Sequence, residues 1–351
     1  METGIALILA QDGVGTGAVY ALLAVALVMV FAVTRVIFIP QGELVAFGAL
    51  TVATVQAGRT PATAALLAFL AAASFALLLH ARRDRLREAA LREVLHCARE
   101  TLLVPALIVL AALLLPLASL PLLLQVALGV ALVAAMGAPL YRLVYQPVAH
   151  QSVLVLLVVS AALHVALMGL GLVMFGAEGM RSRPFTDAQL AWDAWSVSGQ
   201  TLIVIAASAL AMVSLAAFFG WTLAGKALRA AAVNPLGARL MGIEVGASGR
   251  LAFVLAATVG GLSGALIGPS ITIYYDSGFL IGLKGFVAGI IGGLASYPVA
   301  AAGALLVGLI ESFASYGASA FKEVLVFTLI LPVLFWRSTL SHSVLDEEEH
   351  A

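Results

Sequence analysis

Long apolar stretches alternate with short polar or charged connections along almost the whole chain. A membrane-spanning helix needs about 20 mostly apolar residues. Candidate runs lie at about 16–34, 43–57, 62–80, 102–117, 121–140, 152–175, 201–223, 251–273, 285–318 and 324–336. The pattern predicts an all-α polytopic membrane protein with about 8–10 transmembrane helices, including broken or re-entrant segments.

The last long run, 285–318, is interrupted by Gly292-Gly293 and by Pro298. Irregular backbone at membrane depth is tolerated only where protein or a water-filled cavity covers it. The interruption is therefore either part of a transport pathway or a simple kink in a helix bundle.

Composition supports the membrane prediction. The chain has 351 residues, of which 63% are hydrophobic and 10% charged, and its mean hydropathy is +1.11. Soluble domains average about 45–50% apolar and about 25% charged residues. The net charge is zero, so nothing indicates nucleic acid as a partner. The start, METGIALILAQDG, has no basic segment, so we expect no removable signal peptide.

Lysine and arginine near the ends of spans predict the orientation. We expect the cytoplasmic side to hold Arg35, Arg82, Arg83, Arg85, Arg87, Arg92, Arg99, Arg142, the cations from Lys226 to Arg250, and Arg337. The segment 177–200 then lies outside, together with the N-terminus. Run 285–318 must either return on the outer side or cross as two half-helices.

The chain is predicted to form a single transmembrane domain, 1–351, with two strongly charged segments. Segment 82–100 (RRDRLREAALREVLHCARE) is predicted to be a cytoplasmic amphipathic helix, and a partner-binding or lipid-sensing role is the alternative. It lies within 62–120, a predicted inserted helical hairpin. The acidic tail 341–351 is predicted to be solvated in the cytoplasm.

Few candidate chemical groups fall inside the spans. Glu43 and Glu311 are the intramembrane carboxylates that the pattern indicates, and each is expected either to line a pathway or to lie at an interface. His164 is either a hydrogen-bonded packing residue or a proton relay. The histidines and the lone Cys97 suggest no metal site, and no catalytic cluster emerges. Segment 220–227 resembles a P-loop, but Ala227 replaces the required hydroxyl.

Glycines recur at four-residue spacing in two places. Such stripes let helix backbones approach closely in lipid, and rigid-body sliding is the functional alternative. The two stripes are Gly260, Gly264 and Gly268, and then Gly285, Gly289 and Gly293.

The connection 225–250 is too long for a simple linker, because helix–helix connections usually take about 2–8 residues. Asn234 is suited to an N-cap, Pro235 to the first helical position, and Gly242 to a left-handed helix end. A second short helix is expected from Lys226 to about Val233. Within loop 225–250, the residues predicted to contact a partner are Lys226, Arg229, Asn234, Pro235, Arg239, Leu240 and Gly242.

Four stretches in order resemble permeases of branched-chain amino-acid ABC importers. They are GTGAVYALLAVALVMVFAVTRVIFIPQGELVAFGAL (15–50), APLYRLVYQPVAH (138–150), the loop around Asn234-Pro235 (225–242) and GLKGFVAGIIGGLASYPVAAAGALLVGLIESF (282–313). The family's first turn usually reads Asn-Phe-Ala-(His/Gln)-Gly, where this chain has Phe38-Ile39-Pro40-Gln41-Gly42.

The resemblance implies an ABC importer permease fold in the bacterial inner membrane. It implies a second permease subunit, cytoplasmic ATPase subunits that bind loop 225–250, and a periplasmic solute-binding protein. The chain itself would bind no cofactor, because its partners hydrolyse ATP. The possible pathway residues are Gln41, Gly42, Glu43, Gly289, Gly292, Gly293 and Glu311.

Two alternatives to branched-chain amino-acid import stay open. One is an ABC permease for a sugar, an amide or a small aromatic acid. The other is a self-contained secondary transporter, for which no internal repeat was found.

Overall fold

The computed structural model describes residues 3–192, 195–294 and 296–335, and gives only the backbone of 3, 84–90, 191, 192 and 195. The predicted tail 341–351 and Arg337 lie outside these residues. The α-helices are α1 (Thr3–Thr34), α2 (Gln41–Gln56), α3 (Ala62–Ala81), α4 (Arg83–Thr101), α5 (Leu103–Leu114), α6 (Leu122–Leu140), α7 (Val153–Phe175), α8 (Gly199–Trp221), α9 (Leu223–Val233), α10 (Pro235–Leu240), α11 (Val245–Ile267), α12 (Ser277–Ile291), α13 (Tyr297–Gly317) and α14 (Lys322–Thr328).

Seven helices among the described residues are long and apolar enough to cross a membrane. An eighth span is obtained if Leu91–Thr101 and Leu103–Leu114, bent by 57°, count together. These helices confirm the predicted all-α polytopic class. The described residues also contain one short antiparallel hairpin, β1 (Gln189–Trp192) and β2 (Trp195–Ser198), in the segment predicted to lie outside.

Three apolar runs differ from the continuous spans that their hydrophobicity suggests. At 1.5 Å per residue, α2, α5 and α12 are only about 18–24 Å long, shorter than the roughly 30 Å hydrocarbon core. Run 285–318 divides into α12 and α13 at a turn where Gly293 has φ +64°, as the Gly292-Gly293 interruption predicts. The second run of the predicted inserted hairpin is a short helix that meets α4 at a bend, so it is not one straight span.

The chain forms two compact units, which share helices α1, α8 and α12. The first comprises Met1–Val28, Thr186–Leu210 and Leu283–Ala351, and the second comprises Met29–Phe185 and Ala211–Gly282. In the first unit, α1 and α13 run antiparallel. A Cβ atom on Gly13 would lie 2.8 Å from Cα of Leu309, and one on Gly17 would lie 2.9 Å from Cα of Leu305. These two helices therefore pack with their backbones nearly in contact.

The core of the second unit is built from α2, α6 and α11. A Cβ atom on Gly264 would lie 2.6 Å from the amide nitrogen of Ala49 and closer still to the carbonyl oxygen of Val45. On α6, a Cβ atom at Gly137 would collide with the backbone of Phe253. The predicted 260/264/268 stripe is thus a helix-packing surface, and only glycine fits its centre.

We predict that Gly264→Ala destabilises the protein by about 1–3 kcal/mol, because the added methyl group overpacks the α2–α11 contact. Gly169→Ala is the matched control, since a Cβ atom there meets nothing within 4 Å. Thermal unfolding of the purified variants in detergent measures the difference. Equal thermal unfolding midpoints for Gly264→Ala and Gly169→Ala would contradict the packing argument.

Candidate functional site

Helix α2 begins beside the middle of a long helix rather than at its end. Its first residue, Gln41, donates from Nε2 to the carbonyl oxygen of Ala256 at 3.0 Å. Ala256 is the twelfth residue of the 23-residue α11. The non-helical segment before α2 is covered by protein, with Val36 and Phe38 buried. This arrangement satisfies the condition for irregular backbone at membrane depth.

The first turn of α12 meets the first turn of α2 in the second unit. A Cβ atom on Gly42 would lie 2.9 Å from Cα of Gly282 and would overlap the carbonyl oxygen of Gly278. Two interrupted helices therefore begin within backbone contact of each other. Because helix N-termini carry partial positive charge, their convergence creates a local environment that favours negative groups.

Glu43 occupies this junction and is fully buried. Its Oε1 lies 2.9 Å from Nδ1 of His164, the twelfth residue of the 23-residue α7. The imidazole packs against the ring of Phe279, with centroids 4.9 Å apart. Glu43 is therefore enclosed by protein, with His164 beside it.

Several polar atoms at the junction have no aligned hydrogen bond within the described part of the chain. They are Oε1 of Gln41 and both carboxylate oxygens of Glu43, whose contact with His164 is close but poorly directed. Buried polar groups are normally paired, so such atoms call for a proton, a water molecule or a polar ligand. The junction thus offers buried acceptor atoms to a polar group.

The first unit contains a second buried ionic cluster. Lys284 on α12 is almost fully buried, and its Nζ lies 2.5 Å from Oε1 of Glu311 on α13. The same Nζ lies 3.1 Å from Oε1 of Glu323 on α14, and Tyr20 on α1 donates its hydroxyl to Oε2 of Glu311 at 2.8 Å. Four helices are therefore joined through one lysine and one glutamate.

The remaining predicted pathway glycines lie around the C-terminal end of α12. A Cβ atom on Gly292 would lie 2.8 Å from the amide nitrogen of Ala300, so this glycine allows the tight α12–α13 turn. A Cβ atom on Gly289 would meet only Cδ2 of the Leu294 side chain, at 3.2 Å. Gly293 lies beyond the end of α12. The predicted 285/289/293 stripe is therefore not a continuous helix face, because the helix ends at Ile291.

Loop 225–250 contains the predicted pair of short helices. The Asn234 side chain accepts from the amide of Gly237 at 2.9 Å, Pro235 is the first residue of α10, and Gly242 has φ +81°. These observations confirm the predicted caps. The preceding α9 buries Leu228 and Ala231.

The outer face of the loop is both apolar and basic. Leu240 and Met241 are 81% and 82% exposed, and Val233 and Leu236 are also exposed. The predicted cations Lys226, Arg229 and Arg239 are exposed beside them. Exposed apolar surface rimmed by charge is typical of a protein-binding surface.

We predict that Lys284→Met destabilises the protein by roughly 3–5 kcal/mol, because it leaves Glu311 buried without its cation. The double variant Lys284→Met/Glu311→Gln removes both charges and should recover part of that loss. Unfolding of Lys284→Met, Glu311→Gln and the double variant in detergent forms the mutant cycle. A loss of stability in the double variant equal to the sum of the two single losses would show that the pair is not coupled.

Comparison with known proteins shows what the chain is similar to. A family model described as "Branched-chain amino acid transport system / permease component" matches residues 98–334. The chain is 27% identical over 215 residues to the high-affinity branched-chain amino acid transport system permease protein LivH of Escherichia coli (strain K12), covering 59% of this chain and 69% of that protein. It is 32% identical over 145 residues to the corresponding protein BraD of Pseudomonas aeruginosa, covering 41% and 47%.

No solved structure matches the chain. The family model covers more than half of the sequence, and its match extends from α4 through α14 to residue 334. The apolar helices in that range agree with a multi-pass membrane protein. The chain therefore belongs to the family of permease components of branched-chain amino acid transport systems.

Proposed function

We propose that this protein is the membrane-spanning permease subunit of an ABC importer in the bacterial inner membrane. It would move branched-chain amino acids or related small solutes. Separate cytoplasmic ATPase subunits would drive it through loop 225–250, a second permease chain would complete the pathway, and a periplasmic binding protein would deliver the solute. The family assignment supports permease function, and the exposed surface of loop 225–250 supports the ATPase partner.

The observation that carries the ATPase proposal is an apolar surface that is exposed on capped and anchored short helices. Capping by Asn234 and the left-handed Gly242 fix α10 at both ends. Helix α9 is anchored because Gly225 packs on the backbone of Phe218 and Phe219. Leu236, Leu240 and Met241 are nevertheless exposed. A fixed loop can transmit a displacement to α11, which begins only three residues after Gly242.

The pathway in this proposal passes the α2–α12 junction. Gln41, Gly42 and Glu43 would contribute to it directly, because interrupted helices near the middle of the membrane are typical of transport sites. Glu311 would hold α13 on Lys284 rather than contact the solute, and Glu323 would hold α14 on the same lysine. Gly292 and Gly293 would shape the turn between the two half-helices.

A second candidate is a self-contained, proton-coupled transporter. The buried Glu43–His164 pair favours it, since intramembrane carboxylate–histidine pairs are the groups that relay protons. Uptake of labelled leucine under an imposed inward proton gradient, into vesicles that contain this chain and no ATPase subunit, separates the candidates. The ABC proposal expects no concentrative uptake there, and uptake restored by ATP inside vesicles that carry the whole assembly.

We predict that Arg239→Glu/Leu240→Glu abolishes co-purification of the ATPase subunits, because it places two carboxylates on the apolar and basic surface of α10. The matched control is Arg183→Glu/Leu190→Glu, which alters an exposed arginine and an exposed leucine on the side predicted to be outside. Affinity purification of each variant from membranes measures how much ATPase it retains. Full retention of ATPase by the α10 variant would refute the docking proposal.

A further inference from the structure

A cavity of about 410 Å³ lies in the second unit, apart from the α2–α12 junction. Its walls come from the end of α3, the end of α4, the helical turn that follows α6, and the first residues of α11. Three of its lining side chains are guanidinium groups, those of Arg82, Arg142 and Arg250. By the predicted orientation, all three lie toward the cytoplasmic side.

Arg142 is the most enclosed of the three and is 9% exposed. Its Nη1 donates to Oγ of Ser74 at 3.2 Å, and its Nη2 donates to Oε1 of Glu100 at 3.4 Å. Charged N–H···O contacts are normally about 2.7–2.9 Å. The buried guanidinium is therefore held loosely, and it faces an open cavity.

The other two arginines are paired in the same loose manner. Arg82 shares Glu100 with Arg142, at 3.1 Å, and lies 3.6 Å from Glu93. Arg250 lies 3.3 Å from Glu244. The cavity wall itself thus carries three guanidinium groups and two carboxylates. Since each guanidinium has five N–H donors, these three groups carry more donors than the two lining carboxylates can accept.

We propose that this cavity binds a phosphate-class oxyanion, held by Arg142 and Arg250 with Arg82 at the rim. Planar guanidinium forks match the oxygens of a phosphate group, and the volume admits one such group with its neighbouring atoms. The phosphate would come from a phospholipid headgroup or from the cytoplasm as a free anion. Both sources offer the same chemistry to the arginines.

The location gives the site a consequence for the loop. Glu244 is the N-cap residue of α11 and follows Gly242 by two positions. A bound phosphate that engages Arg250 would tie the start of α11 to α3 and α4 through Arg142 and Arg82. Occupancy of the cavity would therefore stiffen the connection between loop 225–250 and the membrane helices.

The free-anion source is tested on the full chain, purified in detergent and stripped of lipid. Its binding of inorganic phosphate is measured by calorimetric titration at constant ionic strength. Native mass spectrometry of the unstripped protein tests the lipid source by retained phospholipid. The variants are Arg250→Gln and Arg142→Lys, which keeps the charge but loses the planar fork. Arg92→Gln is the control, because Arg92 is an exposed arginine of α4 outside the cavity lining.

Saturable phosphate binding that is about tenfold weaker or more in Arg250→Gln, and unchanged in Arg92→Gln, would support the site and a free anion. A phospholipid retained by the wild type and by Arg92→Gln, but lost from both cavity variants, would support the site and a headgroup. The proposal is overturned if the wild type binds neither phosphate nor phospholipid. It is also overturned if either folded cavity variant binds them as the wild type does.

Discussion

Close backbone contact at glycine is the constraint on which this structure depends. Helices surrounded by lipid gain little from hydrophobic association, so they pack through dispersion and close approach. Gly264 brings α11 against α2, Gly17 brings α1 against α13, and Gly42 meets Gly278 and Gly282 at the start of α12. At each of these positions a single methyl group would collide with backbone atoms, which cannot rotate away.

This close packing allows short helices to begin inside the bundle and to carry polar groups there. Glu43 reaches His164 because α2 starts beside the middle of α11 and α7. In the other unit, Lys284 reaches Glu311 and Glu323 from the short α12. The Lys284 cluster joins four helices through its ion pairs and the Tyr20 hydroxyl. At the Glu43 junction neither carboxylate oxygen has an aligned hydrogen bond, and this junction is the one we place on the pathway.

Local features were predictable from the sequence, and non-local ones were not. Asn234, Pro235 and Gly242 define α10 through contacts within a few residues, so their roles can be identified without a structure. Lys284 could not be identified as a site residue from the sequence, because its significance depends on Glu311 and Glu323, which lie 27 and 39 residues away. The burial of Glu43 was equally unpredictable from the sequence, because hydropathy does not show where a neighbouring helix runs. The short helices of loop 225–250 could be predicted from the sequence. The Arg142 cavity could not, because it depends on side chains from four separate elements.

The central claim is that α10 presents its exposed face to ATPase subunits in the cytoplasm. Its most direct test is thiol labelling of Leu240→Cys in a Cys97→Ala background, which removes the native cysteine. The account predicts labelling by a membrane-impermeant reagent in inside-out vesicles, no labelling in intact spheroplasts, and protection when the ATPase subunits are present. Labelling of Leu240→Cys from the outer side of spheroplasts would contradict it.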